Sequence, residues 1–344
     1  MKFINITGYV SSGSSAVTDY LLEFNNTVTC KTEIRFIRDP FGIIDLDTAL
    51  NHNWENERAS YAIWNFLDYT KKWARYSKHP WSPAGHSYKA FLNKKYVQIT
   101  RSYIDKITDY RSIFNHYCTA YNLNYFSYVF YRMRLFIERH SKGKIKAVSR
   151  RMRANYFAHP IEEEFLNATK DYIEELYNPL SEDGGKTILL EQALPPDNLN
   201  YTERYFRDCK NIIVERDPRD IYVENVFLMD VTSKIRGTRE SGERFVKFFR
   251  TLHERINKGK NPLLVVNFED LLFNFEKTTK KIRDFVGFDE KDHINKGKFL
   301  QISKSQKNVG KWKHYYPECK EAIDYIYSEL KEWCREESTS AIIE

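Results

Sequence analysis

Hydrophobic and polar residues follow two different periods near the start of the chain. An apolar, β-favouring run at residues 2–7 ends at Gly8, and a stretch of small hydroxyl residues follows. Apolar side chains then recur at positions 17, 20, 21 and 24, which is the spacing of one helix face. The pattern predicts a strand, a short loop and a helix, in that order.

Short apolar runs return in the second half of the chain. Residues 186–190, 211–214 and 263–266 each have the length of a buried strand. Alternation at residues 32–37 predicts a second strand, which resumes at residues 43–47 after a turn containing Pro and Gly. These elements predict an α/β protein with a three-layer, P-loop-like fold, in which helices flank a central parallel sheet.

The middle of the chain has a helical pattern instead. Apolar side chains recur at helical intervals in residues 61–67 and 128–136, and residues 50–180 contain no strand-like run. We interpret residues 51–180 as a large helical insertion that covers the mouth of an α/β core. That core is predicted to comprise residues 1–50 and 181–344.

Charge is concentrated in one part of this insertion. Nine of the residues from 132 to 153 are Lys or Arg, and Glu138 is the single acid among them. The segment is either a solvated cationic helix face or a docking site for an acidic polymer or an anionic membrane surface. No nucleic acid partner is expected, because no recognised nucleic-acid-binding motif accompanies it. The net charge of +7 over 344 residues also favours a polyanionic partner.

The remaining composition bears on location. Five cysteines without metal-ligand spacing favour a reducing compartment and no bound metal. The amino terminus lacks the pattern of a secretory leader, and no apolar run approaches the length of a membrane span. A soluble cytoplasmic protein is expected.

The loop after the first strand is the main candidate for anion binding. Gly8 and Gly13 are five residues apart, as in a Walker-type loop, so the backbone can wrap an anion in front of a helix N-terminus. Hydroxyls at positions 11, 12, 14 and 15 add donors. A nucleoside triphosphatase would carry Lys and then Ser or Thr after Gly13, whereas Ser14 follows here. A Gly/Ser turn that only caps the helix is the alternative.

Polar residues also follow the later predicted strands. Glu191 lies where a ligand pocket forms beyond the carboxyl ends of parallel strands; it either accepts a proton from a hydroxyl nucleophile or pairs with an arginine. Arg216 ends the next strand, where a fixed guanidinium suits a second phosphate. Residues 303–313 form a basic loop with one glycine, Gly310.

Taken together, these segments resemble the sulfotransferase family that uses 3′-phosphoadenosine 5′-phosphosulfate, especially bacterial members that act on polysaccharides or cell-surface glycans. The matching segments are residues 8–15, 216–220, 266–271 and 308–312, in the family's order along the chain. The resemblance covers residues 1–46 and 186–316. It implies transfer of a sulfuryl group to a glycan hydroxyl or a lipid-linked glycan precursor, and a helical insertion that binds the acceptor.

The resemblance also implies roles for individual residues. The loop amides, with Gly8, Ser11, Ser12, Gly13, Ser14 and Ser15, would hold the 5′-phosphosulfate. The 3′-phosphate would contact Arg216 and the loop that contains Ser305, Lys307, Asn308 and Gly310. Glu191 would be the general base. Ser11 stands in the catalytic part of the loop, and no metal is expected.

Two positions depart from the family pattern. Ser11 replaces a lysine that would stabilise the leaving phosphate, and Glu224 replaces a serine near the 3′-phosphate. A basic residue of the 132–153 segment is a candidate replacement for the lysine. Two alternatives therefore remain open: a P-loop-type kinase acting on a sugar or lipid, and a non-catalytic nucleotide- or glycan-binding protein of the same fold. If Glu191 is not the base, the insertion offers His86, His116 and His140.

Overall fold

The computed structural model describes residues 1–30, 32–75, 87–112, 123–147, 154–182, 185–229, 233–254 and 259–335. The chain forms two compact units. The sheet unit comprises Met1–Arg35 and Leu180–Glu344, and the helical unit comprises Phe36–Pro179. The boundaries expected from the sequence were residues 50 and 180, so 36–50 belongs to the helical unit. The role of the insertion as an acceptor-binding cap stays a prediction.

Seven strands are present in the described residues. They are β1 Phe3–Gly8, β2 Thr27–Thr29, β3 Tyr110–Ser112, β4 Asn155–Phe157, β5 Thr187–Glu191, β6 Cys209–Glu215 and β7 Leu263–Asn267. Five of them form one parallel sheet in the order β2-β5-β1-β6-β7. The α/β class with a central parallel sheet is therefore confirmed, and the predicted strands at 186–190, 211–214 and 263–266 correspond to β5, β6 and β7.

The α-helices in the described residues follow in chain order. They are α1 Ser14–Leu21, α2 Ile43–Asp47, α3 Asn56–Ala74, α4 Tyr88–Phe91, α5 Tyr96–Lys106, α6 Tyr125–His140, α7 Glu162–Tyr177, α8 Leu199–Thr202, α9 Pro218–Tyr222, α10 Arg239–Glu254, α11 Phe268–Phe273, α12 Phe275–Val286, α13 Ile302–Gln306, α14 Lys311–His314 and α15 Tyr316–Glu329. Short 3-10 turns lie at Pro196–Asn198, Glu203–Tyr205 and Glu290–Asp292, and π-helical segments at Thr48–His52 and Val223–Met229. No helix in these ranges combines the length and apolarity needed to cross a bilayer.

Strand β1 is the centre of the sheet unit. All six of its residues are buried, and its neighbours are β5 and β6. Ile6 pairs with Glu191 of β5 and with Ile212 of β6, while Gly8 pairs with Val214. Because the strands are parallel, their carboxyl ends meet at one edge of the sheet. Residues 8–15, 191, 192 and 216 are brought to that edge.

Apolar side chains of the first helix complete this core. Val17, Tyr20 and Leu21 of α1 are buried in one cluster with Ile4 and Ile212 of the sheet. These α1 residues recur at the helical spacing that the sequence predicted. Burying them fixes the position of the helix N-terminus at the end of β1.

Tyrosines form much of the core of the helical unit. Tyr103 of α5 stacks on Tyr172 of α7 with ring centroids 4.6 Å apart. The hydroxyl of Tyr103 lies 2.8 Å from Thr169 Oγ1, and that of Tyr172 lies 2.9 Å from Thr100 Oγ1. Buried tyrosine hydroxyls usually have such partners. Packing in the interior therefore explains part of the high tyrosine content.

Three local predictions are wrong. Residues 32–37 form no strand: Ile34 and Phe36 are buried in irregular backbone that a period-two pattern also fits, and β2 lies earlier, at Thr27–Thr29. Residues 43–47 form α2, whose N-terminus is held by the Phe41 amide donating to Asp45 Oδ2 at 2.6 Å. The insertion also contains strands, since β3 and β4 pair as an antiparallel ladder.

Candidate active site

The glycine loop, residues 8–15, connects β1 to α1 in a conformation that both glycines are needed to form. A Cβ atom on Gly8 would lie 2.6 Å from the carbonyl oxygen of Val214, and one on Gly13 would lie 2.5 Å from the ring of Phe268. Gly13 also adopts a left-handed conformation with φ of 83°. Neither position tolerates a side chain, because the backbone passes too close to β6 and α11.

The loop hydroxyls have different environments. Ser11 Oγ donates to Asn225 Oδ1 at 2.8 Å, and Asn225 Nδ2 donates to the carbonyl of Val10 at 3.1 Å. Ser14 Oγ accepts from Gln192 Nε2 at 2.8 Å. Ser12 Oγ is buried and has no hydrogen-bond partner among the residues that the structure describes, whereas Ser15 is exposed.

Backbone donors complete the loop. Helix α1 begins at Ser14, so the amides of Ser14 and Ser15 have no acceptor within the helix. The amide of Ser12 donates to the carbonyl of Tyr9 at 2.9 Å and closes the turn. A helix N-terminus of this kind favours an anion through its free N–H groups and its dipole.

Arg216 joins the glycine loop to a segment that is far away along the chain. It follows β6, is 6% exposed, and donates through Nη1 to the carbonyl of Ser11 at 2.8 Å. Its Nη2 donates to the carbonyl of Asn308. The guanidinium lies over the Phe268 ring at 5.3 Å, and its buried Nε has no partner within the described residues.

The late loop, residues 303–313, is held by Asp220 of α9. Asp220 accepts from the amide of Gly310 at 2.8 Å and from that of Trp312 at 3.0 Å. Burial raises the pKa of Asp220, and the Arg216 charge and the two amides act in the opposite direction. Asp220 Oδ2 lies 3.8 Å from Arg216 Nη2. One carboxylate thus ties the loop and the arginine together.

The other residues predicted in the late loop are less enclosed. Ser305 lies in the short helix α13 and is half-buried, and Lys307 is exposed just after that helix. Asn308 contributes its carbonyl to Arg216, and Gly310 adopts φ of 72° before α14. The structure therefore brings Asn308 and Gly310 to Arg216 and leaves Lys307 facing solvent.

Glu224 has a basic partner. Lys311 Nζ lies 3.0 Å from Glu224 Oε2, and both side chains are about one quarter exposed. Because opposite charges at this distance offset one another, the acid does not present an isolated negative charge.

Glu191 ends β5 and is half-buried. Burial raises the pKa of its carboxyl, and the negative charges of Glu33 and Asp19 raise it further. The next residue, Gln192, has φ of 54° and connects the strand end to the glycine loop through Ser14, while its Oε1 accepts from Thr7 Oγ1 at 3.2 Å.

A small cavity lies beside Arg216. Its lining includes Tyr9, Glu215, His253 and Trp333, and its volume is about 40 Å³. That volume holds a few water molecules but no nucleotide. His253 stacks between Tyr9 and Phe249, with centroid distances of 4.0 and 3.9 Å.

Neither a protein-family model nor a curated protein sequence matches the chain. Among solved structures, the chain is similar to the sulfotransferase domain of the Synechococcus PCC 7002 olefin synthase, with 14% sequence identity and a TM-score of 0.41. The alignment covers 94% of this chain and 93% of that domain. At this TM-score the likeness carries no argument about function.

Several residues of the site had no assigned role in the sequence analysis. Asn225 fixes Ser11, Phe268 packs on Gly13 and beneath Arg216, and Glu269 accepts from the amide of Asp217 at 2.9 Å. Phe268 and Glu269 lie in the segment 266–271 noted for its resemblance, but nothing in the sequence singles out Asn225.

Of the three histidines named as alternative bases, His140 lies within the described residues. His86, His116 and residues 148–153 of the basic segment lie outside the described residues. His140 ends α6 in the helical unit, where its Nδ1 lies 3.0 Å from the carbonyl of Phe136. Over the described ranges, no three His, Cys, Asp or Glu side chains converge on a metal-binding position.

Proposed function

We propose that this protein is a sulfotransferase that moves a sulfuryl group from 3′-phosphoadenosine 5′-phosphosulfate to a hydroxyl of a glycan or glycan precursor. The observation that carries the proposal is the position of Arg216. Its guanidinium donates to Ser11 in the glycine loop and to Asn308 in the late loop. The two segments assigned to opposite ends of the donor are thereby held on one buried cation.

The chemistry of the site fits an anionic donor. Ser12 Oγ and Arg216 Nε are buried polar groups without a partner in the described protein, and such groups are costly unless water or a ligand satisfies them. Both groups can donate, as an anion requires. The amides of Ser14 and Ser15 add donors at the 5′ side, and Lys311 adds a cation near the 3′ side.

The lack of a P-loop lysine favours this donor over a nucleoside triphosphate. In a triphosphatase that lysine contacts the β- and γ-phosphates and the next hydroxyl binds magnesium. Here Ser14 occupies the position of the lysine, and its hydroxyl is bound by Gln192. A donor with a single phosphosulfate anhydride needs less charge neutralisation at this point.

Catalysis would consist of positioning and one proton transfer. The acceptor oxygen forms a bond to sulfur as the bond from sulfur to the 5′-phosphate oxygen breaks, which yields a sulfate ester and adenosine 3′,5′-bisphosphate. Glu191 accepts the hydroxyl proton. Its raised pKa suits this role, because a general base is most effective when its pKa approaches the working pH. Donors fixed on the glycine loop stabilise the charge on the leaving phosphate.

Ligand-induced stabilisation tests the proposal. Adenosine 3′,5′-bisphosphate at a hundredfold excess over its Kd should add about 2.7 kcal/mol to the free energy of unfolding. The Ser12→Ala variant should fold normally, because the Ser12 hydroxyl has no hydrogen-bond partner among the described residues, but it should bind the bisphosphate at least fivefold more weakly. Thr18→Val is the matched control, since Thr18 Oγ1 on α1 is also buried, lacks a partner in the part of the chain that the structure describes, and lies outside the loop.

The other outcomes have definite meanings. Stabilisation by ATP and magnesium but not by the bisphosphate would indicate a phosphotransferase. Stabilisation by neither nucleotide would favour a non-catalytic binding protein. If the Ser12→Ala variant binds the bisphosphate as tightly as the wild type, the glycine loop is not part of the donor site.

A further inference from the structure

Helix α6, Tyr125–His140, exposes its apolar side chains. None of its residues is buried. Six large apolar residues are between 39% and 74% exposed, namely Phe126, Val129, Phe130, Met133, Phe136 and Ile137. A contiguous apolar patch that is exposed on a protein surface marks an interaction site.

These six residues share one face. At about 100° per residue they fall within an arc of roughly 120° on the helix circumference. The half-buried residues are Tyr131, Arg134, Leu135 and Glu138, and they lie on the opposite face. A helix that packs on a protein core directs its apolar face inward. In α6 that face points to solvent.

Basic residues border the apolar face. Arg132 and Arg139 are exposed and lie along one edge of the arc. Lys142, Lys144 and Lys146 follow in the exposed turn after the helix. Residues 125–147 contain six Lys or Arg and one acid, a formal net charge of +5.

We propose that α6 and the lysines after it bind the surface of an anionic lipid bilayer, with the helix lying parallel to the surface. An apolar face rich in phenylalanine beside a cationic face is typical of helices that lie in a membrane interface. The apolar residues enter the boundary between headgroups and acyl chains, and long basic side chains reach the lipid phosphates.

The charge distinguishes this partner from two others. A second copy of the chain would place one +5 segment against another, which disfavours self-association through this face. A soluble polyanion would neutralise the lysines but would leave the phenylalanines in water. The bilayer satisfies both sets of residues. The inference does not depend on the donor or on sulfuryl transfer.

Vesicle sedimentation with the full chain tests the inference. Vesicles of phosphatidylcholine with about one third phosphatidylserine should bind the protein, and phosphatidylcholine alone should bind it at least tenfold more weakly. The double variant Phe130→Ser/Phe136→Ser should lower partitioning into the anionic vesicles at least tenfold. The triple variant Lys142→Gln/Lys144→Gln/Lys146→Gln should lower it about 100-fold at low salt.

Matched controls separate the segment from general surface effects. Phe248→Ser/Phe273→Ser removes two phenylalanines that are 51% and 55% exposed in the sheet unit, and Lys277→Gln/Lys281→Gln/Lys320→Gln removes three exposed charges. Both controls should bind vesicles as the wild type does. All four variants alter exposed residues, so unchanged melting temperatures verify folding.

Three results would overturn the inference. Equal binding of wild type and Phe130→Ser/Phe136→Ser to vesicles would exclude insertion of the apolar face. A dimer in sedimentation velocity that the same variant dissociates would assign the face to self-association. The third result is binding to heparin without binding to vesicles. If the lysine variant loses heparin binding and the phenylalanine variant keeps it, the partner is a soluble polyanion.

Discussion

Lys311 Nζ lies 3.0 Å from Glu224 Oε2, although the two residues are 87 positions apart in the chain. Glu224 stands where the resembled family carries a serine, and an isolated carboxylate there would repel a phosphate. Lys311 of the late loop offsets the charge of Glu224, so this acid does not present an isolated carboxylate. The pair therefore adds no net negative charge at the end predicted to bind the 3′-phosphate.

The ion pair leads to two opposite expectations for binding of adenosine 3′,5′-bisphosphate. Glu224→Gln should raise the affinity about fivefold, because Lys311 is then free to face the phosphate, and Lys311→Met should lower it by a similar factor. Isothermal titration calorimetry measures both. Lys280→Met is the control, because Lys280 pairs with Asp284 at 2.6 Å on the exposed face of α12. Equal affinities for the Glu224 and Lys311 variants would remove the pair from the donor site.

Replacing Glu191 by glutamine should separate catalysis from binding. Turnover should fall about 10²- to 10⁴-fold with bisphosphate affinity unchanged, because the amide cannot accept the proton. The variant should also unfold less readily at pH 7. Burial raises the pKa of Glu191, so its contribution to stability is present at low pH and is lost as pH rises through the folded-state pKa.

The control for Glu191 is the carboxyl at the end of β6. Burial also raises the pKa of Glu215, so Glu215→Gln should stabilise the protein at pH 7 as well, with turnover reduced only a few-fold. Full activity in Glu191→Gln would exclude it as the base. His140, His86 and His116 would then be the next residues to test.

The negative charge of Glu33 should contribute to the raised pKa of Glu191. Its negative charge is the second cause of the raised Glu191 pKa, and its own side chain is 48% exposed, so its removal should leave the fold intact. In Glu33→Gln the acid limb of the pH–rate profile should move to lower pH, with the plateau unchanged. Asp19→Asn should move it in the same direction. If neither variant shifts the pH–rate profile, its acid limb does not reflect the ionisation of Glu191.

Gly13 should be sensitive to substitution for both conformational and steric reasons. Alanine there combines a left-handed backbone with a Cβ atom 2.5 Å from the Phe268 ring, and the two costs together should reach about 2–5 kcal/mol of unfolding free energy. Gly297→Ala is the control: Gly297 has φ of 72° and open space around it, so only the backbone cost of about 1–2 kcal/mol applies. Urea unfolding measures both. Similar losses of unfolding free energy in the two variants would show that the Phe268 ring moves aside without an energetic cost.

The elements that the sequence predicted correctly are those with short-range patterns. Gly8, Gly13 and the apolar positions of α1 lie within a few residues of one another, and the strand runs of β5, β6 and β7 need no knowledge of the fold. The strand predicted at 32–37 is wrong because alternation also fits a buried turn. Phe36 satisfies the same burial without pairing to a neighbour.

The links between segments could not be predicted in the same way. The sequence predicts Arg216 at a strand end, but its hydrogen bonds to the carbonyls of Ser11 and Asn308 depend on where two distant loops fold. Asn225 binds Ser11 from a π-helical segment that no pattern distinguishes. Pairings of this kind depend on side-chain direction, which local spacing does not encode.

Acid should destabilise the protein through His253. This ring stacks on Tyr9, the residue after Gly8, and burial lowers its pKa below 6.5. The folded state therefore favours the neutral imidazole. The contribution of His253 to stability is present above pH 6.5 and is lost as pH falls toward the folded-state pKa.

Glu215 lines the same cavity, and its raised pKa acts in the opposite sense. The informative quantity is therefore the difference in unfolding free energy between wild type and His253→Phe. As the pH falls from about 7.5 to about 5, the unfolding free energy of the wild type should decrease relative to that of His253→Phe. A wild-type and His253→Phe difference that is independent of pH would mean that the ring titrates equally in the folded and unfolded chain.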